Sequence, residues 1–359
     1  MTGHEAASSS SERDLLLRRL ADLALLPSGR MTPQERGLID TVIASAVSRL
    51  DATGRRRLAE RIAQLPEGPG ELTLALARDT IDVAAPVLRS SLALQAGDLV
   101  QIIRTASADH QLAIAERKAL SAAVVEALID HASAAAICRM LLNPAAELST
   151  RAMETLVRRS ASEPEYQPLL LARPELTMRL AQLMFWWASL EGRKEILGRY
   201  SIERRMMHSA LDDVLDAGLA ASSVDEALHV TLSLVRPPVA MSKAELARLL
   251  DLAGMRMRDE FAEEFATAGR IRVETALRII GDMGGEPVAI YGKALGLSRA
   301  QFAELIAALA RLRDVDLSGG SFFERITAVF DAISTDRADL VLHCWDWAIS
   351  AETQIPSET

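Results

Sequence analysis

The chain has 359 residues, with 49 acidic side chains against 40 basic ones and a formal net charge of -9. Alanine fills 59 positions while Gly is 19 and Pro 13, a mix that favours helix because Ala loses no side-chain entropy there. Two cysteines, Cys138 and Cys344, build neither a disulfide framework nor a thiolate metal site, and no apolar run reaches the ~18 residues of a membrane span.

Residues 1–10 are polar and disordered by composition, and Met1 to Ser11 lacks the basic start and apolar centre of a secretory signal. A cytoplasmic location is expected. A first helix starts at Ser11 and runs through Leu15, Leu16, Leu20, Leu23 and Leu26 to Pro27-Ser28-Gly29. A second begins at Thr32, where Pro33 suits the first turn and Glu35 completes a capping box. Its apolar positions are Leu38, Ile39, Val42, Ile43 and Val47. The breaker Leu65-Pro66-Glu67-Gly68-Pro69-Gly70 marks a boundary, so 11–65 reads as an N-terminal helical segment.

An internal repeat follows over 71–190. Ala119-Leu120-Ser121, Glu147-Leu148-Ser149 and Glu175-Leu176-Thr177 place their leucines 28 residues apart, and each leucine precedes a hydroxyl residue suited to cap a helix. The apolar runs after these caps are Val124, Val125, Leu128 and Ile129, then Met153, Leu156 and Val157, then Leu180, Leu183, Met184 and Trp187. A short apolar helix precedes each cap and closes at Arg117-Lys118, Asn143-Pro144 or Arg173-Pro174. Leu94 to Ser107 forms a degenerate earlier unit. A helix–turn–helix of this length cannot bury its apolar face alone, so the units are expected to stack. The fold class expected is all-α, with antiparallel helix pairs stacked as a HEAT-like α-solenoid and less regular ends.

The C-terminal helical region spans 191–350. Ser223 with Glu226, Ser242 with Glu245 and Ser298 with Gln301 have capping-box spacing. Leu228 to Val235 alternates like a strand, but its flanks favour helix. Further helices are expected at 258–268, 271–281, 286–295, 299–312, 321–333 and 335–350, with a polar tail at 351–359.

Several residue patterns resemble chemistry without completing it. Asp314-Val315-Asp316-Leu317-Ser318-Gly319 matches the start of a calcium loop, but position 12 is Arg325 where a bidentate Glu belongs. Gly292-Lys293 is followed by Ala294, so it makes no phosphate loop. The histidines His4, His110, His131, His208, His229 and His343 lack zinc-site spacing. Asp212-Asp213 and Glu263-Glu264 point in different directions on a helix and read as solvated faces. Residues 287–311, with Gly296-Leu297-Ser298 at the turn, are similar to a DNA-reading helix-turn-helix whose Arg299 and Gln301 would face bases. The same turn serves a plain helical hairpin. Only four basic residues are Lys (Lys118, Lys194, Lys243, Lys293) and 36 are Arg, a bias that GC-rich codon usage explains, and the acidic total argues against nucleic acid.

The remaining feature is a basic, aromatic shoulder after the repeats: Trp186, Trp187, Arg193, Lys194, Arg199, Arg204 and Arg205, set against Glu191, Glu195 and Glu203. Adjacent tryptophans on one helix cannot both face one core, so one of the pair is expected at an edge. Trp and Arg dominate interface hot spots, which makes Trp186, Trp187, Arg193, Arg199, Arg204 and Arg205 candidate partner-binding residues. Packing between helices accounts for the tryptophans as well.

The segments Ala77 to Leu88, Asp98-Leu99, Ala113 to Arg117 and Leu142-Asn143-Pro144 resemble an uncharacterised family of alphaproteobacterial proteins, over roughly residues 32–310. The family's domain is similar to HEAT-type helical repeats. The resemblance implies an all-helical, solenoid-like protein and carries no catalytic residues. A non-enzymatic scaffold or regulator is therefore expected, with another protein as partner and with no cofactor or metal. The rival expectation is a DNA-binding regulator acting through 287–311.

Overall fold

The computed structural model describes residues 32–47, 49–65, 68–201, 236–314 and 320–353. The first helix expected at Ser11, the Ser223 cap, the segment 228–235 and most of the calcium-like loop lie outside these residues. Among those described, secondary structure is helical, and the one strand-like feature is an isolated parallel bridge between Leu120 and Ala146. No described helix is long and apolar enough to cross a membrane.

The chain forms two compact units that divide between Arg159 and Ser160, inside the tract expected to be repetitive. The first unit holds α1 (Pro33–Val47), α2 (Ala52–Ile62), α3 (Gly70–Ala77), α4 (Ile81–Ser90), α5 (Ala96–Thr105), α6 (Ala108–Ala115), α7 (Ala122–His131), α8 (Ala134–Leu141) and α9 (Thr150–Arg159). Helices pack on their second neighbours in two rows. One runs α2, α4, α6, α8; on the other side α1 pairs with α3, and α7 packs on both α5 and α9. The apolar spacings explain the rows: Leu99, Ile102 and Ile103 of α5 and Val124, Val125 and Leu128 of α7 are buried.

Two of the three expected repeat caps are made. Ser149 Oγ accepts from the Ala152 amide at 3.1 Å and Thr177 Oγ1 from Leu180 at 3.4 Å. Ser121 sits at its N-cap without that bond. There the next repeat substitutes, because Glu147 Oε2 accepts from the Ala122 amide at 3.1 Å. The Thr32–Glu35 box forms as expected, with Thr32 N donating to Glu35 at 2.9 Å.

Buried polar side chains tie one repeat to the next. Gln111 on α6 donates to the carbonyls of Ile103 and His131 at 3.0 Å each and accepts from Ser133 N at 3.2 Å. It thereby satisfies the ends of both α5 and α7. Arg117 sends its two terminal nitrogens to Leu88 O at 2.6 Å and Ser91 O at 2.7 Å, and burial pulls its pKa down. Asn143, one repeat later, donates to Arg117 O at 2.6 Å. Each turn grips the turn before it.

The second unit holds α10 (Tyr166–Leu171), α11 (Met178–Met184), α12 (Leu190–Tyr200), α13 (Lys243–Gly254), α14 (Arg258–Gly269), α15 (Val273–Gly281), α16 (Glu286–Ala294), α17 (Arg299–Arg313), α18 (Gly320–Ala332) and α19 (Thr335–Thr353). The boundaries expected from residue 258 onward agree within two or three residues, α19 running three residues into the expected tail. The core gathers on α19, which packs on α11, α15 and α16. Its Trp345 is fully buried, lies 4.9 Å from the Phe185 ring, and donates its indole N–H to Gln182 at 2.9 Å. Asp346 accepts from Arg272 N at 2.8 Å and from the buried Thr275 hydroxyl at 2.7 Å, capping α15 from α19.

Replacing Gln111 by Met keeps the volume but strands two carbonyls and an amide. Urea unfolding should show a loss of about 2 kcal/mol, and an unchanged midpoint would contradict the assignment. Acid should also weaken the first unit. Burial pushes Asp79 up, but Arg55, paired at 2.5 Å, and the Thr80 amide outweigh it, so its pKa lies below the ordinary value. That contribution is present at neutral pH and is lost as pH falls through the lowered pKa. Unfolding followed from pH 7 downward should be flatter for Asp79→Asn than for the wild type.

Candidate functional site

In the second unit, α12, α16 and α18 enclose an open groove of about 670 Å3. The Ser189 hydroxyl caps α12 by accepting from Gly192 N at 3.1 Å. The helix then turns Gly192, Ile196 and Tyr200 inward and gives Leu190, Lys194, Leu197 and Gly198 to the groove. Ile290 and Glu286 of the buried helix α16 form the floor. The opposite wall is Arg325, Ala328, Val329 and Ala332 of α18, and Ile333 and Arg337 close it toward α19.

An ionic cluster fixes this arrangement. Arg193 donates to both carboxylate oxygens of Asp282, at 2.8 and 3.1 Å, and to Glu286 Oε2 at 3.2 Å. Its side chain is 11% exposed and stacks 4.9 Å from the Phe185 ring. Burial pulls the guanidinium pKa down, but Asp282 and Glu286 more than restore it and hold it above the ordinary value. Asp282 also accepts from Gly284 N at 2.8 Å and Gly285 N at 3.0 Å, and Glu286 lies 3.6 Å from Arg325. Gly285 takes φ +83, where a side chain would meet Ile326 and Phe322. The turn into α16 thus requires glycine.

Glu286 thus faces two guanidinium groups, Arg193 and Arg325. The groove has an apolar lining, with Leu190, Leu197 and Ile290 set against Ala328, Val329 and Ile333. Among the described residues, no group of three or more His, Cys, Asp or Glu is placed to hold a metal.

The structure divides the expected partner-binding residues. Arg193 reaches the groove, but as its internal brace. Arg199 is exposed and donates to Leu171 O at 2.5 Å. Arg204 and Arg205 lie outside the described residues. Neither tryptophan is the exposed edge residue expected, and neither lines the groove. Trp186 packs 5.1 Å from the Trp345 ring, while Trp187 donates its indole N–H to Ser160 at 2.9 Å and its carbonyl accepts from Gln167. The reason is local: α11 ends at Met184 and both residues occupy the turn after it, so helical geometry does not force them apart.

The chain matches a family model described as an uncharacterised protein conserved in bacteria (DUF2336), over residues 83–343. The chain belongs to that family. The match runs further toward the C-terminus than the resemblance read from the sequence and takes in the helices that build the groove. No curated protein and no solved structure matches the chain.

The sequence reading missed the α18 wall, Asp282 and Glu286. A run of Ala328, Val329, Ala332 and Ile333 has the spacing of a core stripe, and no local signal separates a groove wall from a core face. The hairpin at 287–311 is built on Gly296 at φ +66, with α16 buried and a side chain at Gly292 excluded by Phe302. Gln301 is engaged in the Ser298 cap at 2.9 Å, and Arg299 lies 3.7 Å from Asp331.

Replacing Arg193 by Met leaves two buried carboxylates without their partner, and thermal and urea unfolding should report a loss of about 3 kcal/mol. Adding Asp282→Asn should recover part of that loss, whereas a purely additive double variant would show that the pair is not coupled.

Proposed function

We propose that the protein is a non-enzymatic interaction module of the cytoplasm, a scaffold or regulator that seats another protein in the groove between α12 and α18. The observation that carries the reading is the groove itself: a large open apolar surface whose walls are braced by an internal ion pair. Bound partners need such a preformed surface, because rigid walls lower the entropic cost of association. The helix rows of the first unit support a HEAT-like stacked architecture, in which successive helix pairs present extended surfaces.

The rival reading, DNA recognition through 287–311, has less support. Gln301 is engaged in the Ser298 cap, and the net charge of -9 opposes a phosphate backbone.

Affinity purification of the full chain from its native cell tests the choice. A protein should co-purify with the wild type and be lost with Val329→Arg at an unchanged thermal midpoint. Recovery of duplex DNA alone, with binding that collapses as salt rises, would replace this reading with the DNA-binding one.

A further inference from the structure

The outer face of α1 carries an apolar stripe that the described helices leave uncovered. Leu38 is 70% exposed, and Val42, one turn further on, is 53% exposed. The opposite side of α1 is packed: Ile43 and Val47 are buried, and the helix lies against α3. A carboxylate fixes which side faces which way. Asp40 is buried and accepts from the amides of Glu71 at 2.9 Å and Leu72 at 2.8 Å, at the start of α3. Rotation of α1 cannot bury Leu38 and Val42 without stranding that carboxylate and both amides. The stripe is held outward, open to a cover.

The chain itself holds a matching surface. Residues 11–26 lie outside the described residues, and their sequence sets Leu16, Leu20 and Leu23 at helical spacing with Asp14, Arg18 and Asp22 on the opposite side. Three features tie this segment to α1. Its sixteen residues span about 24 Å as a helix, against about 22 Å for the fifteen of α1. Only Pro27 to Thr32 separate the two, and a connection this short makes helices antiparallel neighbours. The register agrees as well: Leu20 and Leu38 each lie nine residues from Gly29, and Leu16 and Val42 each thirteen. A hairpin turning at Gly29 therefore sets Leu20 beside Leu38 and Leu16 beside Val42. Such a tether holds the segment at about millimolar effective concentration, which favours it over a second chain.

We propose that residues 11–26 of the same chain cover Leu38 and Val42, packing antiparallel to α1 as an amphipathic helix. The cover involves the first unit alone. It completes α1 on the side that α3 leaves open, so that this end of the unit presents Asp14, Arg18 and Asp22 to water in place of a leucine stripe, as the terminal helices of stacked arrays do.

Disulfide trapping in the full chain tests the register. The background is Cys138→Ser, since Cys344 is buried. Leu20→Cys with Leu38→Cys, and Leu16→Cys with Val42→Cys, should oxidise within single chains. The out-of-register pair Leu20→Cys with Ser45→Cys, offset by about 10 Å, should give at least about fivefold less product. Trypsin supplies a second readout, because cleavage follows the population of the open form. Cutting after Arg18 and Arg19 should be at least about tenfold slower in the wild type than in Leu38→Glu. That substitution is at an exposed position, and circular dichroism checks that the variant folds. No single-chain disulfide in either matched pair, equal yield from the out-of-register pair, or one cleavage rate for both proteins would overturn the proposal. So would disulfides that join two chains, since a second copy would then occupy α1.

Discussion

A guanidinium taken almost out of water holds the floor of the groove to its wall. Removing Arg193 from solvent is costly, and the structure compensates with two oxygens of Asp282, one of Glu286, the Trp186 carbonyl and the face of Phe185. Each partner has a second duty. Asp282 also binds the amides of Gly284 and Gly285, so the charge that fixes α12 shapes the turn that starts α16. Glu286 also faces Arg325 of α18. The three elements that form the groove are therefore set by one cluster, and their spacing follows from hydrogen-bond lengths.

In the first unit, buried side chains that bond backbone carbonyls play the corresponding part beside ion pairs such as Arg55–Asp79. Its helices are short, and short apolar faces slide past one another with little loss of buried area. Gln111 removes that freedom, because three hydrogen bonds to two different helices are met in one register only. Arg117 and Asn143 do so at the turns. Two periods after Gln111, Gln167 in the second unit makes the corresponding bonds to Ser160 O and Trp187 O. The repeat is thus written in buried amides as well as in leucines, and leaving any of them unpaired would cost more than a surface change.

This pattern also explains Trp187. It stands two periods after His131, at the position whose carbonyl a buried glutamine bonds. A large aromatic there continues the repeat, and its indole N–H finds Ser160. In the structure Trp187 stands in the turn that follows α11. The adjoining Trp186 belongs to another packing problem, the aromatic cluster around Trp345 on α19.

The sequence by itself determined the helical class, most helix boundaries, the 28-residue period and the membership of residues 83–343 in a bacterial family. These are local properties: propensity, capping oxygens and apolar spacing act within one or two turns, and Thr32, Ser242 and Ser298 all form the boxes their spacing announces. It also marked α12 as a charged face, since Arg193 and Lys194 lie close together in the chain. Tertiary structure alone decided that Arg193 turns inward, that Lys194 stays at an edge, and that Ala328 and Ala332 form the opposite wall. Arg193 meets Asp282 across 89 residues, a separation over which no spacing rule operates. Which apolar stripe becomes core and which becomes groove depends on what the fold brings opposite it.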